Sequence, residues 1–183
     1  MKHRSVWFIV ALVTAATVVV SAAGEIRINV TPSEGRVLVS FTAPDAWTLG
    51  SREVLQSALQ LRYEYVVELK QPRPLWFFDA TLARADVSAL ARMDSLKGRF
   101  DVKRMRGGAI FQSEQRAKES EVRDWLTTWD QVSLEPVTPL EPNAEYYVEV
   151  TLTIRPKRSV SLLSLLPFGK DENSGRKSFP FIK

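Results

Sequence analysis

The side chains available for chemistry are carboxylates, amines, guanidinium groups, hydroxyls and aromatic rings; the one histidine is His3, and there is no cysteine. Beyond His3 the chain therefore lacks the usual general base, the usual thiol nucleophile and the two commonest transition-metal ligands. A hydrolase built on it would have to work without either group, and most other enzyme classes are removed as well. Acid pairs such as Asp79 with Asp86 are ordinary at this composition, and no Ser/Lys spacing suggests a dyad. The expectation is a protein without catalytic residues, metal or cofactor. Disulfides are impossible, whatever the redox state of the compartment.

Three groups remain that suit recognition. In Arg73-Pro74-Leu75-Trp76-Phe77-Phe78-Asp79, strand alternation sends Trp76 and Phe78 to one face and Phe77 and Asp79 to the other. Arg73, Trp76 and Phe77 are thus a candidate aromatic platform for a sugar or peptide, in competition with simple core filling. The second group is Val160 to Phe168, where Leu162, Leu163, Leu165, Leu166 and Phe168 form an apolar run flanked by Lys157, Arg158 and Lys170. It is too short to span a bilayer and reads as a lip touching a membrane or partner, as a last strand, or as a buried cover. The third is Lys97, Arg99, Lys103, Arg104 and Arg106, which either face anionic lipid headgroups or protect a sheet edge with charge. A groove lined by rings such as Trp47 and Phe77 would instead suit a lipid or glycan.

The elements that must position these groups are read from alternation. Ile26, Ile28 and Val30, then Val37, Val39 and Phe41, predict two strands across a Pro32 to Gly35 turn. A short helix opens at Ser51 with Val54, Leu55, Ala58 and Leu59 on one face. A long strand carries Leu61, Tyr63, Tyr65, Val67 and Leu69. Beyond the Pro72-Arg73-Pro74 break, Leu75 to Leu82 predicts a new strand, and Val87 to Met93 a further one that turns through Asp94 to Gly98 into Phe100 and Val102. Ser113 to about Trp129 reads as a helix, with Val122, Trp125, Leu126 and Trp129 inward. Val132 and Leu134 form a short strand. Tyr146, Val148, Val150, Leu152 and Ile154 then face inward on the cleanest strand, with Tyr147, Glu149, Thr151, Thr153 and Arg155 toward water. About eight strands with two short helices predict a mainly β, antiparallel β-sandwich-like domain of the immunoglobulin or fibronectin III kind.

Lys2, His3 and Arg4 precede an apolar run from Val6 to Val20 that closes on Ser21-Ala22-Ala23-Gly24. This is the order of a secretory signal, cleavable after Ala22 or Ala23. The 18 residues from Val6 to Ala23 also approach the roughly 20 needed for an anchoring helix in the inner membrane. Both alternatives place the rest outside the cytoplasm, in the periplasm or cell envelope. The division is residues 1–23 as signal or anchor, 24–156 as the sandwich-like domain, and 157–183 as an apolar and basic hairpin or tail. Without Lys2 and Arg4 there are 23 basic residues against 21 acidic ones, too small an excess to imply a nucleic acid.

Leu140-Glu141-Pro142-Asn143-Ala144-Glu145-Tyr146-Tyr147-Val148-Glu149-Val150 resembles the tyrosine corner of fibronectin type III domains, where a Leu, a Pro and a Tyr precede an alternating strand; the resemblance implies that Pro142 fixes the bend and the Tyr146 hydroxyl bonds to upstream backbone. Ala144 departs from the hydroxyl residue usual there. A wider resemblance, carried by Arg73 to Asp79 and by Leu140 to Val150, is to the bacterial exported family named domain of unknown function 4390. That resemblance implies an envelope protein and supplies no catalytic residue. The combined expectation is a binding or accessory module for an envelope or membrane protein, in possible contact with an anionic membrane surface, with a lipid- or glycan-binding domain as the alternative.

Overall fold

Alternation at period two builds most of the described chain. The computed structural model describes residues 25–33, 35–73, 79–157 and 172–180. The expected signal or anchor, Trp76 and Phe77, and the run from Val160 to Phe168 lie outside the described residues. The elements are β1 (Arg27–Ser33), β2 (Arg36–Thr42), α1 (Leu49–Gln56), β3 (Gln60–Gln71), β4 (Ala80–Asp94), β5 (Arg99–Arg106), β6 (Ala109–Arg116), α2 (Glu119–Thr127), β7 (Thr128–Leu134), β8 (Glu145–Lys157) and β9 (Glu172–Pro180).

The strands form two antiparallel sheets, ordered β1-β2-β7 and β6-β5-β4-β3-β8-β9. Their apolar faces share one core. Val37, Val39, Phe41, Val132 and Leu134 come from the small sheet; Tyr63, Tyr65, Val67, Ala89, Val102, Val150 and Leu152 come from the large one. Leu55 of α1 and Val122 and Leu126 of α2 close the layer. The Phe41 and Tyr65 rings meet across it at 4.9 Å between centroids. The architecture is mainly β and sandwich-like, with strands divided three to six and not the four to three of an immunoglobulin constant domain.

Burying tyrosines requires partners for their hydroxyls, because an unpaired phenol in a core is costly. Tyr63 donates to the Ala46 carbonyl at 2.7 Å and lies 2.9 Å from Ser51 Oγ. Tyr65 donates to the Leu126 carbonyl at 2.8 Å. These contacts tie β3 to the turn at Ala46, to Ser51 of α1 and to Leu126 of α2.

Local structure departs from the sequence expectation at three places. First, Leu82 and Val87 belong to one 15-residue strand, β4, because β3 is long enough to pair with it from Ala80 to Ala91, across a single bulge at Leu82. Second, Ser113 to Arg116 is strand and not helix. Gly107 and Gly108 take φ of +54° and +86°, which makes a two-residue reversal possible and sets Ala109 opposite Arg106. α2 then runs only nine residues, and Trp129 lies on β7. Third, α1 begins at Leu49 because the Thr48 side chain accepts from the Ser51 N–H at 3.2 Å. It ends before Ala58, which adopts φ of +54°.

α2 passes into β7 without a glycine cap, so its last carbonyls need other donors. Asp124 O receives the Thr128 N–H, and Thr127 O receives the Ala43 N–H at 2.9 Å. Leu126 O is met by Tyr65 Oη. Trp125 O is met by Arg104 Nη2 at 3.1 Å, and the same nitrogen donates to Thr128 O at 2.6 Å. The Arg104 guanidinium lies 4.5 Å from the Trp125 ring centroid and 4.7 Å from that of Trp129. Burial pulls its pKa down from the ordinary arginine value.

β9 pairs with β8 and closes over the N-terminal end of the small sheet at Gly175. A Cβ there would lie 2.7 Å from Ile26 Cβ and 2.8 Å from Ile26 O, so only glycine permits this approach.

Candidate functional site

Register places three rows of side chains on the solvent face of the large sheet. Arg62, Leu90, Lys103 and Ser113 are cross-strand neighbours in one row; Glu64, Ser88, Met105 and Ile110 form the next; Arg92, Asp101 and Gln115 form the third. A groove of about 840 Å³ runs over this end of the face, with Leu90, Met105 and Ile110 as apolar patches and Arg62, Arg92 and Lys103 as cations.

The charges here are unequally satisfied. Asp101 accepts from Gln115 Nε2 at 2.9 Å, and Glu114 pairs with Arg116 at 2.6 Å. Arg62 Nε lies 3.1 Å from Glu64, an ion pair without hydrogen-bond alignment, while its Nη2 donates to Ser88 Oγ at 3.3 Å. Arg92 and Lys103 are exposed and have no ion-pair partner among the described residues.

The other end of the same face, over β3, β8 and β9, is closed on itself. Lys70 bridges Glu68 at 2.9 Å and also binds Glu149. Arg84 reaches Glu68 at 3.5 Å and Asp86 at 3.0 Å. Burial opposes the Lys70 charge, yet the hydrogen bonds it donates to Glu149 and Glu68 prevail and hold its pKa above the ordinary lysine value. That is the reverse of the depressed pKa a nucleophilic lysine requires.

Tyr147 sits in this closed region. The sequence pattern turns it toward water, but it is only 4% exposed. The Arg176 guanidinium covers its ring at 3.4 Å, and its hydroxyl donates to Asp79 Oδ2. Burial, and then the Asp79 carboxylate, push the phenol upward. The Tyr147 hydroxyl in turn lowers the Asp79 pKa against a smaller opposing effect of burial, helped by the Arg73 N–H and the Arg176 charge. Among the described residues no cluster of carboxylates and histidines is arranged to hold a metal.

The other expected residues are dispersed. Arg73 is exposed, and its N–H donates to Asp79 Oδ1 at 3.4 Å. At the corner, Leu140 packs against the core, Pro142 is exposed, and Tyr146 Oη accepts from the Glu141 N–H at 2.8 Å. Trp47 packs against the core and does not line the groove. The basic cluster divides by strand parity. Lys103 faces the groove, Arg104 points inward between two tryptophans, Arg106 lies 5.7 Å from the Phe111 ring, and Lys97 pairs with Asp94 at 3.6 Å.

The matched family reflects the same fold region. A family model described as domain of unknown function (DUF4390) matches residues 24–172. The chain belongs to that family. No curated protein and no solved structure matches it. In this DUF4390 chain the matched span takes in the whole groove, the closed ion-pair ladder and the tyrosine corner. Leu90, Arg92, Met105 and Ile110 were not singled out from sequence. The only local signal at Leu90, Met105 and Ile110 is an apolar residue on the polar side of a strand, Arg92 has none, and assembling the four needs the cross-strand register.

Proposed function

We propose that this DUF4390 protein is an exported cell-envelope protein that acts as a non-catalytic binding or accessory module for a membrane or envelope protein. The groove between β3 and β6 supports this best, because it sets unpaired Arg92 and Lys103 beside apolar Leu90, Met105 and Ile110. Apolar area beside unpaired charge gains free energy when a complementary surface covers it, whereas an already paired face does not. Export rests on the basic N-terminal residues, the apolar run and the small residues that close it.

The test is site-specific photo-crosslinking in intact cells, with the probe at Lys103 or Ser113 in the groove and at Thr151 on the closed part of the face. Protein adducts at the groove positions and none at Thr151 are expected. Equal adducts at all three positions, lipid adducts alone, or no adduct at any of them would overturn the proposal. Intact-mass measurement on the envelope fraction reads whether the N-terminal segment is removed near Ala23, and recovery of the chain from cytosol alone would overturn export.

A further inference from the structure

We infer that the groove's occupant is an extended acidic and apolar peptide segment of the partner, added as a further strand along the free edge of β6. This specifies the occupant of the binding site proposed above and rests on that proposal.

β6 is the edge of the large sheet and pairs only with β5 among the described residues. Edge strands invite another chain unless something blocks them. Two of the other three edges carry proline, Pro32 in β1 and Pro180 in β9. The third, β7, is bent where its register with β2 shifts, around Gln131 at φ of +52°. β6 has one irregularity, beside its hairpin. From Gln112 to Arg116 it keeps unbroken register with Arg104 to Phe100 and contains no proline, glycine or lysine. It is therefore the least protected edge of the described fold, and its Ile110, Ser113, Glu114 and Gln115 line the groove.

Side-chain parity then fixes which partner residues matter. Ser113 and Gln115 point to the groove face. A strand laid beside β6 presents every second side chain to that face, in the rows already occupied by Ile110, Ser113 and Gln115. The row of Ser113 meets Lys103 first and continues to Leu90 and Arg62, and that of Gln115 leads through Asp101 to Arg92. Ser113 is small, so it leaves the Lys103 ammonium open toward the edge. Glu114 is paired with Arg116, while Asp101 accepts only from the neutral Gln115 amide and keeps its charge. Against that one carboxylate stand the two cations Arg92 and Lys103, so the net charge open to the edge is positive, and carboxylates in the added strand would meet it. Ile110 is 54% exposed at the start of the strand and offers an apolar neighbour to the third outward position. The fitting segment has one apolar and two acidic residues at successive alternate positions. Lysines there would face Arg92 and Lys103 with like charge.

The experiment uses the full chain and three synthetic decapeptides: one with Leu, Glu and Glu at alternate positions among threonines, one with both Glu replaced by Lys, and one retaining Glu with prolines at the intervening positions. Fluorescence anisotropy gives the affinities, and hydrogen exchange maps protection. The Glu peptide should bind at least about tenfold more tightly than the Lys and Pro peptides, since each outcome removes more than about 1.4 kcal/mol of interaction. It should protect the amides of residues 112–116. In the R92E/K103E variant, both positions being exposed, the preference between Glu and Lys peptides should invert while the urea melt stays unchanged. Failure of the Glu peptide to bind, binding unaffected by proline, protection at β1 or β9 instead of β6, or a preference insensitive to charge reversal would each overturn the inference. Groove-specific protein crosslinks in cells together with such a failure would leave the binding site standing and remove only the strand-addition mode. Absence of crosslinks would remove the site itself.

Discussion

Arg104 is a partly buried guanidinium that bonds the carbonyls of Trp125 and Thr128, and its replacement tests how α2 is joined to β7. In Arg104→Met the carbonyls of Trp125 and Thr128 lose their common donor, and two indole rings lose the cation stacked on them. Hydrogen bonds to charged groups contribute about 1.5 to 3 kcal/mol each, and a cation over an aromatic ring about 0.5 to 2 kcal/mol. Against this stands the cost of taking the guanidinium out of water, seen in the downward pKa shift, which a methionine avoids. The loss should therefore be well below the gross sum, at about 2 to 4 kcal/mol. Arg104→Lys keeps the charge but not the planar surface between the rings, and should lose about 1 to 3 kcal/mol. Urea melts at neutral pH read both. At roughly 2 to 4 °C per kcal/mol for a domain of this size, thermal melts should show the Met variant several degrees lower. A Met variant within about 0.5 kcal/mol of the parent would refute the reasoning and mean that desolvation cancels the clasp.

Other perturbations have equally defined outcomes. Gly175→Ala drives a methyl against Ile26 backbone, so urea melts should show a loss of about 1 to 3 kcal/mol with faster hydrogen exchange in β9; an unchanged melt would contradict the close approach. Asp79 has a lowered pKa in the folded state, so its contribution is present above the unfolded carboxylate value of about 3.9 and is lost as pH falls through the folded one. As pH falls below the unfolded carboxylate value, the Asp79→Asn variant should lose less stability than the parent, and identical slopes would exclude the pairing with Tyr147. Tyr146→Phe leaves the Glu141 N–H without its acceptor and should cost about 1 to 3 kcal/mol in urea melts, with a loss under about 0.5 kcal/mol counting against the corner.

What the chain discloses before folding depends on whether the decisive partner is near in sequence. The inward rows Tyr63 to Leu69 and Tyr146 to Leu152 follow from alternation alone, since a buried sheet face repeats every second residue. The turn from Asp94 to Gly98 is likewise local, held by the Gly98 N–H on Asp94 O at 2.9 Å. β6 is different. Gln112, Ser113, Glu114 and Gln115 have no apolar period, and they become strand because Gly107 and Gly108 return them to β5. Tyr147 has the parity of a solvent residue, and only Arg176 and Asp79, distant in sequence, bury it. The groove is the extreme case, because Leu90, Met105 and Ile110 come from three strands and become neighbours only through register. Two lysines on the solvent face of the large sheet also look alike in sequence and differ completely in their surroundings.

That difference gives the last prediction. Lys70 has a side chain 19% exposed and lies between Glu68 and Glu149. Removing its ammonium in Lys70→Met leaves Glu149 without its cation and Glu68 with only the longer Arg84 contact at 3.5 Å, which should cost about 1 to 3 kcal/mol. Lys103 touches no carboxylate among the described residues, so Lys103→Met should change stability by no more than about 0.5 kcal/mol. Partner binding should respond in the opposite order. A paired ion has nothing to gain from a new neighbour and loses hydration if one arrives, whereas an unpaired cation beside apolar floor gains a counter-ion when covered. Urea melts and groove crosslinking yields on the same two variants therefore form a crossed comparison. Lys70→Met should be less stable with its crosslinks retained, and Lys103→Met normally stable with its crosslinks reduced. If Lys103→Met loses stability while retaining its adducts, the open half of the face is structural and the binding site must be sought elsewhere on the chain.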